Sequence, residues 1–312
     1  MKKILIEKND AQQSLIKFLE KYLAGAPKSL IQKFIRKKRI KVNGKKVEAS
    51  HKLEEGDLVD IYIYDEIIDG WAKENSKKIE KNNLNLDIAF ENEDVMIIDK
   101  PDNLLSHPAS SQDYGKTVVD FLLARLIDSK EYIPRLEHSF TPAIVNRLDR
   151  NTKGLIIGAK NRKSLVQLNQ DIETEKIEKY YLAIVEGKFT ANKEIVNYLV
   201  KDDKNVVHVA NKNEGKKSIT HIKSLETNGN YTLLEIKLLT GRTHQIRATL
   251  ASMGHPILGD RKYFKKKNRT FNKQELVAYK LKFSDNIGLE SLRGIEVISK
   301  YSRDIYDVYR SL

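Results

Sequence analysis

Asn146-Arg147-Leu148-Asp149-Arg150-Asn151-Thr152-Lys153-Gly154 sets one carboxylate between two arginines, directly before the apolar run Leu155-Ile156-Ile157. A neighbouring guanidinium stabilises the anionic form of a carboxylate, so Asp149 reads as a standing nucleophile or base rather than an acid. From this stretch alone a structural salt bridge is the simpler explanation. What lies elsewhere in the chain changes the balance.

At 312 residues the chain is long enough for two domains. Its 56 Lys+Arg against 43 Asp+Glu leave a net charge of +13 and a pI near 9.4. A protein that basic usually meets a polyanion, although a generally cationic surface would give the same sum. There is no cysteine, which excludes disulfides, thiolate zinc sites and cysteine nucleophiles and fits a reducing cytoplasm. The start, Met1-Lys2-Lys3-Ile4-Leu5-Ile6-Glu7, has too short an apolar run for a signal peptide. No apolar run reaches the roughly 18 residues of a membrane span, so no membrane association is expected. His51, His107, His138, His208, His221 and His255 lack metal-ligand spacing, and no metal is expected. His244, inside Thr243-His244-Gln245, reads as a structural donor.

The basic charge is concentrated early. Residues 27–47 hold nine cations (Lys28, Lys33, Arg36, Lys37, Lys38, Arg39, Lys41, Lys45, Lys46) and no acidic residue. Around them the pattern is that of a fold. Leu15, Phe18, Leu19, Tyr22 and Leu23 fall at helical spacing, and Leu30, Ile31, Phe34 and Ile35 make a second stripe. Ile40 and Val42 then alternate with lysines as a strand, and Asn43-Gly44 supplies a type I′ turn. Leu53, the Gly56-Asp57 turn and Val59, Ile61 and Ile63 read as returning strands. From residue 65 to 85 the chain turns polar, with Trp71 as a local packing anchor, and reads as a linker.

Beyond it, Ile88 and Phe90, then residues 95–98, read as strands around a polar turn. Residues 117–126 and 161–172 have helical periodicity, while 180–185 and 231–239 have strand character. Strands and helices mixed without regular βαβ alternation argue for α+β.

Further stretches carry a family resemblance. They are Ile97-Ile98-Asp99-Lys100-Pro101 with His107-Pro108, then Lys179-Tyr180-Tyr181-Leu182-Ala183-Ile184-Val185-Glu186-Gly187, then Leu239-Thr240-Gly241-Arg242-Thr243-His244-Gln245-Ile246-Arg247 followed by Gly254-His255-Pro256-Ile257-Leu258-Gly259-Asp260. With the Asp149 stretch, and in this order, they resemble the sequence blocks of the RluA-type pseudouridine synthases, the group that includes the RluC and RluD enzymes of large-subunit ribosomal RNA. The resemblance spans residues 86–265. The basic N-terminal segment resembles the S4 RNA-binding domain that the family often carries. The small residue usual between its second helix and strand is replaced here, by Lys38.

The resemblance implies an α+β protein with an S4-like helix-helix-β RNA-binding domain at 1–70, a linker at 71–85 and a mixed-sheet pseudouridine synthase catalytic domain at 86–312. It implies an isomerase that detaches uracil from its glycosidic nitrogen, turns it and rejoins it through carbon. Such chemistry needs a carboxylate and a closed pocket but no cofactor and no metal. By the same resemblance Asp149 is the catalytic carboxylate, as nucleophile on base or sugar or as the base removing a sugar proton. Arg247 pairs with it, Tyr181 packs on the target base with Tyr180 on the opposite face of its strand, and Arg147 fills the gap left by a flipped-out nucleotide or holds a phosphate. Lys33, Arg36, Lys37, Lys38, Arg39 and Lys45 form the RNA-binding face of the S4-like segment. The expected partner is structured RNA, large-subunit rRNA before tRNA, met by a monomer in the cytoplasm. A silent RNA-binding assembly factor is the rival reading, and Asp149 argues against it. Two positions depart from the family pattern: Asn146 replaces histidine, and Lys153 replaces serine and adds a charge near the RNA.

Overall fold

Buried apolar residues at helical and strand spacing build the first unit. The structure, a computed structural model, describes residues 1–71, 84–134, 138–264, 271 and 273–312. They divide into two compact units, one drawn from the described residues within 1–81, 122–143 and 160–165 and the other from those within 82–121, 144–159 and 166–312.

In the first unit β1 (Lys2–Leu5), α1 (Leu15–Tyr22), α2 (Lys28–Arg36), β2 (Ile40–Val42), β3 (Leu58–Ile61) and α3 (Asp65–Trp71) follow one another, with the strands in the order β1-β3-β2. Leu15, Phe18, Leu19 and Leu23 from the first stripe meet Ile31, Val59 and Ile61 in one core, each contributing about 1.5–3 kcal/mol as its apolar surface leaves water. Asn43 and Gly44 both take positive φ, 51° and 72°, as the turn requires. The Asn43 side chain fixes it further, accepting from the Leu58 N–H at 2.8 Å and donating to Asp57 at 2.7 Å.

The polar stretch expected as linker begins instead as helix, α3. Ile68 is fully buried, and the Trp71 ring lies 6.1 Å from that of Phe34. This apolar anchorage was hidden by the acidic residues around it. Residues 72–83, most of the expected linker, lie outside the described residues.

Asp10 has no exposed surface. It accepts hydrogen bonds from the backbone N–H groups of His138 (2.9 Å) and Ser139 (2.6 Å) and from the Ser139 hydroxyl (2.5 Å). The Arg162 guanidinium donates to the Ala11 carbonyl at 3.1 Å. Residues distant in sequence therefore close this unit through charge-assisted bonds.

The second unit is a long mixed sheet. Its elements begin with β4 (Asp87–Glu91), β5 (Val95–Lys100) and the start of α4 (Val118–Asp128), whose residues 122–128 belong to the first unit. They continue through β6 (Ala143–Ile144), β7 (Lys153–Ala159), α5 (Arg162–Glu173), whose residues 162–165 belong to the first unit, and β8 (Ile177–Glu186). Then come β9 (Asn192–Lys201), β10 (Val207–Ala210), β11 (Lys216–Thr227), β12 (Tyr231–Leu238), α6 (Gln245–Ser252), β13 (Leu276–Phe283), β14 (Glu296–Ile298) and α7 (Tyr301–Arg310). The strand order is β10-β9-β11-β12-β8-β13-β7-β5-β4, with β14 on β13 and β6 on β7. Strands β5 and β7 are buried at every residue, which explains their unbroken apolar runs. Ile305 and Tyr309 of α7 pack on Leu182, Ile184, Leu233 and Val277. Gly154 sits in the parallel pairing of β7 with β13: its φ is +114°, and an added β-carbon would meet the Ala278 carbonyl oxygen at 2.2 Å.

Lys38 shows how the S4-like turn tolerates the loss of its small residue. It adopts φ +63° after α2, its N–H donates to the Ile35 carbonyl at 2.9 Å, and the Arg39 N–H donates to the Phe34 carbonyl at 3.0 Å. That is a Schellman helix end, usually closed by glycine. The left-handed conformation costs a residue with a β-carbon about 1–2 kcal/mol. Lys38→Gly is accordingly expected to slow amide exchange across α2 and β2 by an amount equal to about 0.5–1 kcal/mol, part of the relief being offset by the freer unfolded chain. Faster exchange in the variant would contradict this account.

Candidate active site

The stretch around Asp149 is a loop pinned on both sides of the carboxylate. Where it leaves β6, the Val145 N–H donates to the Ile157 carbonyl at 2.9 Å. The Asn146 amide bridges β7, donating to the Leu155 carbonyl at 3.2 Å and accepting from the Ile157 N–H at 2.7 Å. Asn146 is thus a brace, a task that needs no proton exchange. One residue before Asp149, the buried Ser106 hydroxyl donates to the Leu148 carbonyl at 2.8 Å and accepts from the Leu148 N–H at 3.1 Å. One residue after it, the Lys100 ammonium donates to the Arg150 carbonyl at 2.9 Å.

Arg247 reaches this loop from α6. Its Nη1 donates to Asp149 Oδ2 at 2.7 Å, while Nε and Nη2 donate to the two oxygens of Asp260 at 2.7 and 2.9 Å. Asp260 is buried, and its Oδ1 also accepts from the N–H groups of Lys262 and Tyr263 at 3.0 and 3.2 Å. Burial alone would lower the Arg247 pKa, but the hydrogen bonds and charges of Asp260 and Asp149 raise it instead. The planar fork of the guanidinium holds both carboxylates at once, which a lysine cannot do. Gln245 fixes the start of α6: its oxygen accepts from Thr240 Oγ1 (2.9 Å) and the Arg242 N–H (3.0 Å), and its nitrogen donates to the Ile219 carbonyl (3.0 Å) and Thr220 Oγ1 (2.9 Å).

Asp149, Arg247 and Gln245 line a cleft of about 660 Å³ that also takes in Tyr181, Arg147, His107 and His244. Tyr181 sits on β8 between Ile236 and Ala278 of the adjacent strands. Burial pushes its phenol up in pKa, and the Asp149 charge adds to the shift, so the ring keeps its proton. Tyr180 faces the other way, where its hydroxyl donates to Glu178 at 2.8 Å and Lys280 lies 4.4 Å over its ring. Arg147 is exposed at the cleft, with no hydrogen bond or ion pair to it among the described residues. Lys153 lies elsewhere than expected. It is buried in β7, 5.6 Å over the Tyr301 ring, and does not line the cleft. Alternation along a strand buried on both faces turned it inward, which the replaced serine gave no reason to foresee.

In the first unit Lys33, Arg36, Lys37, Lys38, Arg39 and Lys45 are all exposed. Lys28 pairs with Glu20 at 2.8 Å, and Arg39 lies 5.9 Å over the Phe34 ring. The neighbouring Lys38 ammonium lowers the pKa of Lys46, as expected where cations crowd without counter-charge.

Sequence reasoning gave no role to Asp260, Ser106, Gln245 or Tyr263, although Asp260 and Gln245 stand inside the quoted blocks. A carboxylate closing the apolar run Pro256-Ile257-Leu258 was the available signal for Asp260. Ser106 carried none.

The family model described as RNA pseudouridylate synthase matches residues 94–252, and that of the S4 domain matches residues 13–59. The chain is 35% identical, over 91% of its length and 92% of the relative's, to an uncharacterized RNA pseudouridine synthase of Mycoplasma capricolum. It is 33% identical to the ribosomal large subunit pseudouridine synthase C of Vibrio cholerae, over 83% of this chain and 79% of that one. The structure of human RNA pseudouridylate synthase domain containing 1 shares the fold with a TM-score of 0.53 at 20% identity, over 69% of this chain and 83% of that one.

Lys100 sets a pH signature for the loop. It has no exposed surface, and its ammonium donates at 2.9 Å to the carbonyls of Pro101, Leu104 and Arg150, three acceptors for three protons. Burial pushes its pKa down to about 7, against the pull of Asp102 and Asp149. The unfolded chain, with the ordinary value of 10.5, holds this proton where the folded protein releases it, so through this group stability rises with pH from about 7 to 10.5. The difference in unfolding free energy between wild type and Lys100→Met is therefore expected to move in favour of wild type as pH rises across that window. A difference independent of pH would show that Lys100 titrates normally.

Proposed function

Because the chain belongs to the RNA pseudouridylate synthase family and is an RNA pseudouridine synthase with an S4 domain, we propose that Asp149 carries its chemistry and that its substrate is a uridine of large-subunit ribosomal RNA. The observation that carries the first part is the Asp149–Arg247–Asp260 chain in a cleft shared with Tyr181. Arg247 grips Oδ2 of Asp149, and Oδ1 receives no hydrogen bond among the described residues, so Oδ1 is the oxygen offered to the uridine. The reaction breaks the bond from N1 to C1′ and forms one from C5 to C1′; a proton leaves C5 and one joins N1. Atoms and electrons balance within the substrate. Tyr181, a neutral phenol, offers its face to the base and its hydroxyl as a donor. Arg147, unclaimed by the other described side chains, enters the stack vacated by the flipped nucleotide, offsetting part of an extraction cost of a few kcal/mol.

The substrate rests on the relatives named as large-subunit enzymes. The exposed cations of α2 and the following hairpin hold RNA through its phosphates. The protein works as a monomer in the cytoplasm, where its substrate is assembled.

Asp149→Asn is expected to fold and bind RNA as wild type does and to release no tritium from RNA labelled at uridine C5; appreciable turnover would sink the assignment. Pseudouridine mapping in cells with and without the protein should show loss at one or a few large-subunit positions. Loss confined to tRNA would replace the substrate, and no loss anywhere would leave a silent binding factor. Replacing Lys33, Arg36 and Lys37 with glutamine should weaken binding to structured RNA and flatten the dependence of log K on log salt by roughly one for each phosphate no longer neutralised. An unchanged slope would make this patch a solvated surface.

A further inference from the structure

We propose that His244 is a positioning residue, locked by Tyr263 as the Nε2–H tautomer so that its proton faces the Asp149 carboxylate. This rests on the reading of Asp149 above and deepens it.

The Tyr263 hydroxyl decides the tautomer. It accepts the Val207 N–H at 2.9 Å and lies 2.9 Å from His244 Nδ1. A phenol has one proton to give, and among the described residues Nδ1 is the acceptor within hydrogen-bond distance of it. Nδ1 therefore accepts, and the single proton of the neutral ring stands on Nε2. Nε2 lies 3.7 Å from Asp149 Oδ2, the same oxygen that Arg247 holds at 2.7 Å. At that distance the contact is electrostatic rather than a hydrogen bond. Both donors address Oδ2, which leaves Oδ1 to react.

The backbone shows that the ring is placed rather than tolerated. His244 adopts φ 52° and ψ 22°, a left-handed conformation at the entry to α6 that a residue with a β-carbon ordinarily avoids. The side chain of the next residue, Gln245, holds this turn through Thr240, Arg242 and the Ile219 carbonyl. Tyr263 meets the ring edge-on, centroids 5.7 Å apart at 90°, while the Arg247 guanidinium covers the Tyr263 face at 5.1 Å. Burial lowers the pKa of the ring against the pull of Asp149 and Asp260, and the charges of Arg247 and Lys262 lower it further. In this tautomer His244 cannot accept a proton from the cleft; it only donates.

The test uses the full-length protein. Long-range ¹H–¹⁵N spectra of the imidazoles are expected to show His244 protonated at Nε2 alone, and Tyr263→Phe should convert this signal to a mixture of tautomers. In the same variant kcat for a uridine-containing RNA stem-loop should fall about tenfold with KM and RNA affinity unchanged, as befits the loss of one charge-directed donor. His244→Gln, whose amide nitrogen reaches the place of Nε2, should keep more of kcat than His244→Ala, which guards against misreading a folding defect in the phenylalanine variant. A wild-type ring protonated at Nδ1, or full kcat in both Tyr263→Phe and His244→Ala, would overturn the role. The two readings fail separately: turnover by Asp149→Asn sinks the carboxylate assignment, whereas a protonated Nδ1 sinks the role of His244 whatever the turnover.

Discussion

One guanidinium shared between two carboxylates is the constraint on which the cleft depends. Arg247 commits Nε and Nη2 to the buried Asp260 and Nη1 to Asp149. A buried carboxylate without a partner is costly, so Asp260 holds the arginine as firmly as the arginine holds it. Asp149 receives what remains: a single donor at a fixed angle, on one oxygen. The braces of Ser106 and Lys100 fix the loop from the other side through backbone groups, so the main chain that carries the carboxylate is held on both sides of it. Preorganised groups of this kind need no rearrangement when charge moves in the substrate.

Much of this is legible in the amino-acid sequence itself. The apolar spacings around Leu15 and Ile31 became α1 and α2, the Asn43-Gly44 turn took its positive φ values, and the unbroken runs in β5 and β7 lie inside the sheet. The pairing of Asp149 with Arg247, implied by the family resemblance, is present as geometry. What stayed hidden has a common cause. Ser106 acts through main-chain bonds, Asp260 through a partner 13 residues away, and Tyr263 through a hydroxyl between a backbone N–H and a histidine ring. None leaves a periodic trace, because each contact is made by the tertiary fold. Lys153 and α3 failed in the opposite sense: charged residues were read as solvated where a strand interior and a buried Ile68 decided the outcome.

The positive charge of the chain separates into two kinds. Cations of α2 and its hairpin are exposed and crowded, suited to long-range, salt-sensitive attraction to any phosphate backbone. Lys100 and Arg247 are buried and fully committed to carbonyls and carboxylates, where mobile ions do not reach them. A single net charge conceals this difference.

The strand order also dictates when the site can exist. Strand β13 lies between β8 and β7, so the strands from β4 to β7 and those from β8 to β12 are joined by a strand that follows all of them in sequence. Asp149 and Arg247 stand 98 residues apart, and contacts so distant in sequence form slowly because long loops must close first. During synthesis the N-terminal elements have their local partners at hand, whereas the β7 edge at Lys153 and Gly154 waits for Val277 and Ala278 of a strand that has not yet been translated. Such an edge invites association with other chains. The nascent protein is therefore most exposed to misassembly in the interval between the emergence of β7 and that of β13, and the cleft around Asp149, which Leu276 of β13 helps to line, is incomplete until that interval has passed.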